Sequence, residues 1–371
     1  MLLAGFAWGI IFWILLWSIS SDLFMLINMK KVSVGMKQIA AEAEVSMMTV
    51  SRVLRNKSNV ALATEQKIRA IANRLGYTPN RLVRGMQSGR SGIVSVVMPA
   101  GHAIAPAILE GAYDYFAEKD MLMALDLVHG HYGEKAVAEQ SKVINRLLES
   151  RVDGFILLPV NEEASPLYFK EVIDRKIPLV LVDRNTTHFE ADFVGTDDFA
   201  GGYEAARVLA KNGCKNAVLI STGDLVSTSR LRSEGFKAGL KAFKVKLIAN
   251  VVAPNFTHNT DLIDHGLTKY QGQFDCVFGI ADRLAISAWH SCQRLKLKIP
   301  QQVKVVGFSA LNLRDPRVAL SSFDQQPYKI GRDAAKLLIE RIEKGPWTRK
   351  PKARTILTTP QFVVGTSCPQ A

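Results

Sequence analysis

Residues 36–56 read MKQIAAEAEVSMMTVSRVLRN, and this stretch decides the fold of the amino-terminal part of the chain. Ile39, Ala40 and Ala43 recur at helical spacing and form one apolar stripe. A break follows at Glu44-Val45, and Ser46 stands where its hydroxyl can cap a second helix. On that helix Val50, Val53 and Leu54 face inward, which leaves Met47, Met48, Ser51 and Arg52 facing out. The pattern is a helix-turn-helix whose second helix has a basic outer face, the shape and charge that a DNA major groove accepts. An ordinary helical hairpin with a solvated face gives the same pattern, so the rest of the chain must discriminate.

Charge supplies the first discrimination. The 371 residues carry a formal net charge of +13, and it is concentrated. Between Lys30 and Gly92 twelve basic residues stand against three acidic ones, a local excess of +9 that coincides with the helix-turn-helix and reads as the footprint of a polyanion. Hydrophobic content of 48% and charged content of 22% describe an ordered globular chain with room for more than one core. Cys214, Cys276, Cys292 and Cys368 are far apart, show no metal-ligand spacing or disulfide framework, and fit a reducing cytosol. His129 and His131 form a lone His-x-His that reads as a turn pair, so no metal site is expected.

Residues 1–28 differ from the rest. Leu2 to Ile19 is uncharged and almost wholly apolar, close to the roughly 20 residues that span a bilayer. No basic residue precedes it and no clear cleavage site follows, which argues against a signal peptide. Two readings stay open: a membrane anchor, with Lys30 and Lys31 keeping the remainder in the cytoplasm, or upstream sequence added by a mistaken start ahead of a natural beginning at Met29. The second is preferred, because a protein that searches a genome gains nothing from a tether.

Downstream, a third helix is expected over 63–75, where Ile68, Ile71 and Leu75 share a face before Gly76-Tyr77-Thr78-Pro79 ends it. A basic linker and a flexible Gly89–Gly92 joint follow. Then apolar strand candidates over 93–98, 121–127, 154–158, 179–182, 193–195, 217–220, 246–251, 276–279 and 303–308 alternate with helices over 107–119, 135–150, 167–175, 201–212, 229–243, 259–270, 283–295 and 327–344. This alternation predicts parallel α/β layers. There are too many strands for one sheet of five or six, so two lobes are expected, breaking near 184–192, with a ligand beyond the strand carboxyl ends between them. The expected fold class is therefore α/β, an all-α helix-turn-helix head plus a two-lobed parallel effector domain of the periplasmic-binding-protein kind. The expected divisions are the leader 1–28, the head 29–78, a hinge 79–91 and the two-lobed domain 92–366.

Several stretches resemble one family in one order. VSMMTVSRVL (45–54) matches its "VSxxTVSRVL", LGYTPN (75–80) its "LGYxPN", and VDGFI (152–156) its "VDGiI". IPLVLVDR (177–184), RLRSEGF (230–236) and VVGF (305–308) match its "IPvVlvDR", "RxRxxGf" and "vvGfdd". Between about Met36 and Val364 the chain is similar to the LacI/GalR family of bacterial transcription regulators. The resemblance implies a homodimer that places two recognition helices in the major groove of a near-palindromic, double-stranded operator. Arg52 then reads a guanine edge, Met47 and Met48 stand at the variable base-contacting positions, and Lys37, Thr49 and Ser51 contact phosphates. Asn80 joins the DNA-binding set. Met86 matches the apolar residue that wedges into the minor groove from a hinge helix, and Gly85 beside it costs that helix about 1 kcal/mol. Glu44 replaces the glycine common in the turn and is mildly strained if its φ is positive.

The same resemblance places the effector cleft at Asp183, Thr228, Arg232, Asp282 and Ser309. The family's aromatic pair is Ile104-Ala105 here, its asparagine before Asp282 is Ala281, and its acidic residue after Gly-Phe is Ser309. Arg232 is expected to grip a carboxylate, a phosphate or a pair of sugar hydroxyls. Asp183 reads equally as a cap or as the ion-pair partner of Arg184, and Arg230 as a solvated helix residue. The implied function is a cytoplasmic regulator, in such families most often a repressor, controlled by a small metabolite such as a sugar or sugar acid, with no cofactor. A membrane-tethered DNA-binding sensor is the rival if the leader is native, and then the membrane is a partner too. A transport-type sugar-binding protein shares the two-lobed fold, but the basic head argues against it. No nucleophile–base pair, metal cluster or phosphate loop suggests an enzyme.

Overall fold

A computed structural model describes residues 35–54, 60–78, 89–129, 134–160, 162, 167–186, 190–223, 226–254, 260–311, 319–345 and 352–369. The leader, Asn80, Met86 and His131 lie outside the described residues. The chain divides into two compact units, 1–83 and 84–371.

In the first unit α1 (Met36–Ala43), α2 (Met47–Leu54) and α3 (Leu62–Arg74) surround a small core of Ile39, Ala40, Ala43, Val50, Val53, Ile68, Ile71 and Ala72. The stripe predicted for the first two helices is the buried face. Arg69 ties the group together by donating to the Val53 carbonyl (3.1 Å) and to Glu65 (2.9 Å).

The second unit begins β1 (Ile93–Pro99), α4 (Ala105–Glu118), β2 (Leu122–Val128), α5 (Glu134–Glu149), β3 (Gly154–Leu157), α6 (Leu167–Asp174), β4 (Leu179–Val182) and β5 (Asp192–Thr196). It continues α7 (Asp198–Lys211), β6 (Asn216–Ser221), α8 (Ser227–Ala242), β7 (Lys246–Val252), α9 (Thr260–Lys269), β8 (Cys276–Gly279) and α10 (Asp282–Arg294). It ends β9 (Lys304–Phe308), β10 (Ser321–Asp324), α11 (Pro327–Glu343), β11 (Thr355–Thr358) and β12 (Gln361–Val363). One sheet has the order β11-β5-β4-β3-β1-β2 and is wholly parallel. The other has the order β12-β10-β9-β8-β6-β7, and only the β10–β12 pair is antiparallel. The nine expected strands are all present.

The lobe boundary differs from expectation. β5 pairs with β4 in the first sheet, so the first crossing falls at Asp197, after β5, and not over 184–192. The chain returns after β10, because α11 packs on α4 and on the first sheet, and it crosses once more between β11 and β12. The last three strands escaped the sequence reading because none carries a longer apolar run: Ser321-Ser322-Phe323-Asp324, Thr355-Ile356-Leu357-Thr358 and Gln361-Phe362-Val363 are short and mostly polar or interrupted.

Close helix contacts brace each lobe. A Cβ on Gly111 (α4) would lie 2.0 Å from the Tyr328 carbonyl oxygen, and one on Gly331 (α11) 2.0 Å from that of Ile108. In the second lobe a Cβ on Gly235 (α8) would meet the Phe199 carbonyl oxygen at 2.0 Å, and one on Gly202 (α7) that of Arg232 at 2.1 Å. Only glycine allows backbones this close. The second contact fixes the stretch of α8 that carries Arg232.

Candidate functional site

The head presents its outer face as the sequence predicts. Ser46 Oγ accepts from the Thr49 N–H (3.1 Å) and pairs with Thr49 Oγ1 (2.9 Å), which fixes the start of α2. Met47 and Met48 are 54% and 66% exposed, and Arg52 and Lys37 are exposed, while Thr49 and Ser51 are half-buried. Val50 and Val53 anchor the opposite face. Glu44 ends α1 at φ 59°, the left-handed geometry that the family's glycine would adopt without strain.

In the second unit the five expected effector residues are all buried, and they fall into two groups. Asp183 follows β4 of the first sheet at φ 61°. Its Oδ2 lies 3.5 Å from Nε2 of His102, in the loop after β1, and 3.9 Å from Nε of Arg184. A non-glycine residue held left-handed at a strand end marks a place where surrounding structure over-determines the backbone. Ile104 and Ala105, which occupy the family's aromatic positions, are buried in the first core.

Arg232 lies across the seam on α8. Its Nε donates to Asp198 (2.7 Å), Nη1 to the Ile280 carbonyl (3.0 Å) and Nη2 to Gln325 Oε1 (3.0 Å), and its guanidinium stacks 4.1 Å from the Phe308 ring centre. Gln325 also accepts from Thr196 (3.2 Å) and donates to Ser309 Oγ (2.9 Å). Thr196 and Asp198 flank the first crossing, and Gln325 lies at the second. One guanidinium therefore ties together two of the three crossings between the lobes. Burial pushes the Asp198 carboxyl up to about 7, against the pull of the Arg232 charge.

Asp282 opens α10 and is equally committed. It accepts from Ser322 Oγ (2.5 Å) and from the Leu311 N–H (2.7 Å), and burial raises its carboxyl above the usual range despite these bonds. Thr228 is buried in the first turn of α8. Beside it, Ser229 Oγ pairs with Thr222 Oγ1 at 2.7 Å. Arg230 is exposed and pairs with Glu234 (3.4 Å), in keeping with a solvated role.

Sequence reasoning missed His102, Glu162, Asp198, Ser227 and Gln325. Asp197 could have been read as a helix cap, and its Oδ1 does accept from the Ala200 N–H (3.0 Å). Nothing local distinguished Asp198 beside it. Sequence spacing also hid the one cluster of metal-capable groups among the described residues, Cys214, Asp275 and Cys276. Both Asp275 carboxylate oxygens already accept backbone N–H groups, from Lys215 (2.8 Å) and Asn216 (3.0 Å). Burial pushes the Cys276 thiol well up. The cluster is a hydrogen-bonded clamp at the start of β6 and β8.

Among the described residues no helix is long and apolar enough to cross a membrane. Comparison with known proteins matches residues 35–80 to the bacterial regulatory proteins of the lacI family, and residues 93–346 to a periplasmic binding protein domain. The chain is 26% identical over 321 residues to a ribose operon repressor of Halalkalibacterium halodurans, covering 84% of this chain and 91% of that protein. It is 25% identical over 315 residues to the transcriptional repressor PurR of Vibrio vulnificus, covering 83% and 91%. Its fold is similar to the lac repressor dimer bound to operator and an anti-inducer, with a TM-score of 0.76, 18% identity, and coverage of 91% of this chain and 99% of that one.

Proposed function

This chain belongs to the lacI family of bacterial regulatory proteins, and on that premise we propose that it is a cytoplasmic homodimer that represses transcription from a near-palindromic operator. The observation that carries this reading is the outward face of α2. A hydroxyl-capped helix bears two exposed methionines and an exposed arginine, with its opposite side locked into a three-helix core. Arg52 supplies the bidentate donors that a guanine edge needs. Met47 and Met48 offer apolar contact to thymine methyls, and Lys37, Thr49 and Ser51 hold phosphates. Asn80 and Met86 complete the DNA contacts through the hinge.

The effector is a small, uncharged polyhydroxylated metabolite bound between the lobes. Asp183, Thr228 and Ser309 are the residues that meet it, while Arg232 and Asp282 position them. Hydrogen bonds already made inside the protein support this division. The Arg232 nitrogens already bond Asp198, Ile280 and Gln325, so the guanidinium is poorly placed to seize an anion. The Asp183 carboxylate accepts hydrogen bonds and suits sugar hydroxyls. A relative that is a ribose operon repressor supports a ligand of sugar size.

The test is to sequence DNA that co-purifies with the full chain, with and without neutral sugars, and then to measure affinity for the enriched site. An enriched palindrome whose occupancy falls with one sugar is the expected result. Random DNA, or enrichment that no sugar changes, overturns the reading at the operator or at the effector, respectively.

A further inference from the structure

The start of α8 has no cap of its own. Val226 occupies the capping position in extended geometry and its side chain makes no cap bond, whereas helix starts ordinarily recruit Ser, Thr, Asp or Asn there. The acceptor comes instead from the other lobe. Glu162, beyond β3 of the first sheet, takes the Ser227 N–H on both carboxylate oxygens (2.8 Å each) and the Ser227 hydroxyl on Oε1 (2.7 Å). A carboxylate is the group that best suits the positive end of a helix. Glu162 is itself held on its own lobe, because Thr186, from the loop after β4, donates to its carbonyl (3.2 Å).

We propose that Glu162 is a lobe latch that holds the two lobes together by supplying the missing cap of α8. Three hydrogen bonds to one residue cross the seam at a point distinct from the Arg232 hub, which lies on the strands that join the lobes. The hub acts at the crossings themselves, and the latch acts away from them, where it sets whether the lobes stay together. Its seat is filled by an anion the chain already carries, so an added anionic ligand meets like charge there. A ligand that controls the regulator acts by changing the balance between latched and unlatched lobes. That consequence rests on the effector reading above, and the latch itself does not.

All four native cysteines are buried, so spin labels attach selectively to cysteines introduced at two exposed sites, Lys170 on α6 and Lys237 on α8. The interlobe distance is measured by pulsed electron resonance in ligand-free full-length protein, diluted with unlabelled chain. The unsubstituted latch should give one narrow distribution. Glu162→Ala should move or broaden most of it. So should Ser227→Pro, which removes both donors at a helix position that tolerates proline. Either variant, folded by circular dichroism and with the original distribution, overturns the latch. Adding neutral sugars to unsubstituted protein tests the cleft separately: if the variants open and the unsubstituted protein responds to no sugar, the latch stands and that effector class is rejected.

Discussion

Replacing Arg232 by alanine removes the charge that compensates Asp198 inside the second unit. Both side chains are less than a tenth exposed, and Nε lies 2.7 Å from the carboxylate. Stripping one partner from a buried pair costs about 3–5 kcal/mol. Here the carboxyl has an escape, because burial already places it at about 7 and, without the arginine, it takes up a proton at neutral pH. That holds the electrostatic loss near the lower figure. Gln325 Oε1 and the Ile280 carbonyl each lose a donor, at about 1 kcal/mol apiece. The whole cost is about 4–6 kcal/mol, a large part of the 5–15 kcal/mol that holds a typical domain together. Arg232→Met with Asp198→Asn removes both charges and keeps the volume near Phe308, so it should recover about 2–3 kcal/mol relative to additivity. Urea unfolding of the full chain, followed by circular dichroism for Arg232→Met, Asp198→Asn and the double variant, gives the coupling. Additivity within about 0.5 kcal/mol, or a loss below about 1 kcal/mol for Arg232→Ala, would refute the hub.

Three further outcomes follow from the same geometry. The Asp198 carboxyl is raised in the fold from 3.8 to about 7, so it stabilises most below its unfolded value, loses that contribution as pH climbs toward 7, and is flat above; the melting-temperature difference between unsubstituted protein and Asp198→Asn should show that slope across this window and no other. Arg52→Ala should weaken operator binding by about 1–3 kcal/mol and relax preference at one base pair per half-site, and a gel-shift series with unchanged base preference would reject it as a base reader. Glu44→Gly relieves a left-handed residue at φ 59° and should raise stability of the head by about 0.5 kcal/mol, net of the extra chain entropy of glycine, read as a later head transition in hydrogen exchange.

The sequence by itself determined the head, the strand–helix alternation and the family. Each rests on relations a few residues long: the Ser46–Thr49 cap, the 3.6-residue stripe of α1 and α2, and the apolar runs of buried parallel strands. Even the strain at Glu44 was legible, because the turn geometry that demands it is local. The tertiary structure alone decided where the lobes exchange strands and what the cleft residues are free to do. Glu162 meets Ser227 across 65 positions, Arg232 meets Gln325 across 93, and β11 and β12 separate into different sheets though only two residues stand between them. Sequence spacing carries no distance at that range. An arginine in a matching motif reads as a grip for a carboxylate, a phosphate or sugar hydroxyls, and only the placed partners reveal the three protein acceptors that also make Arg232 a brace at the crossings.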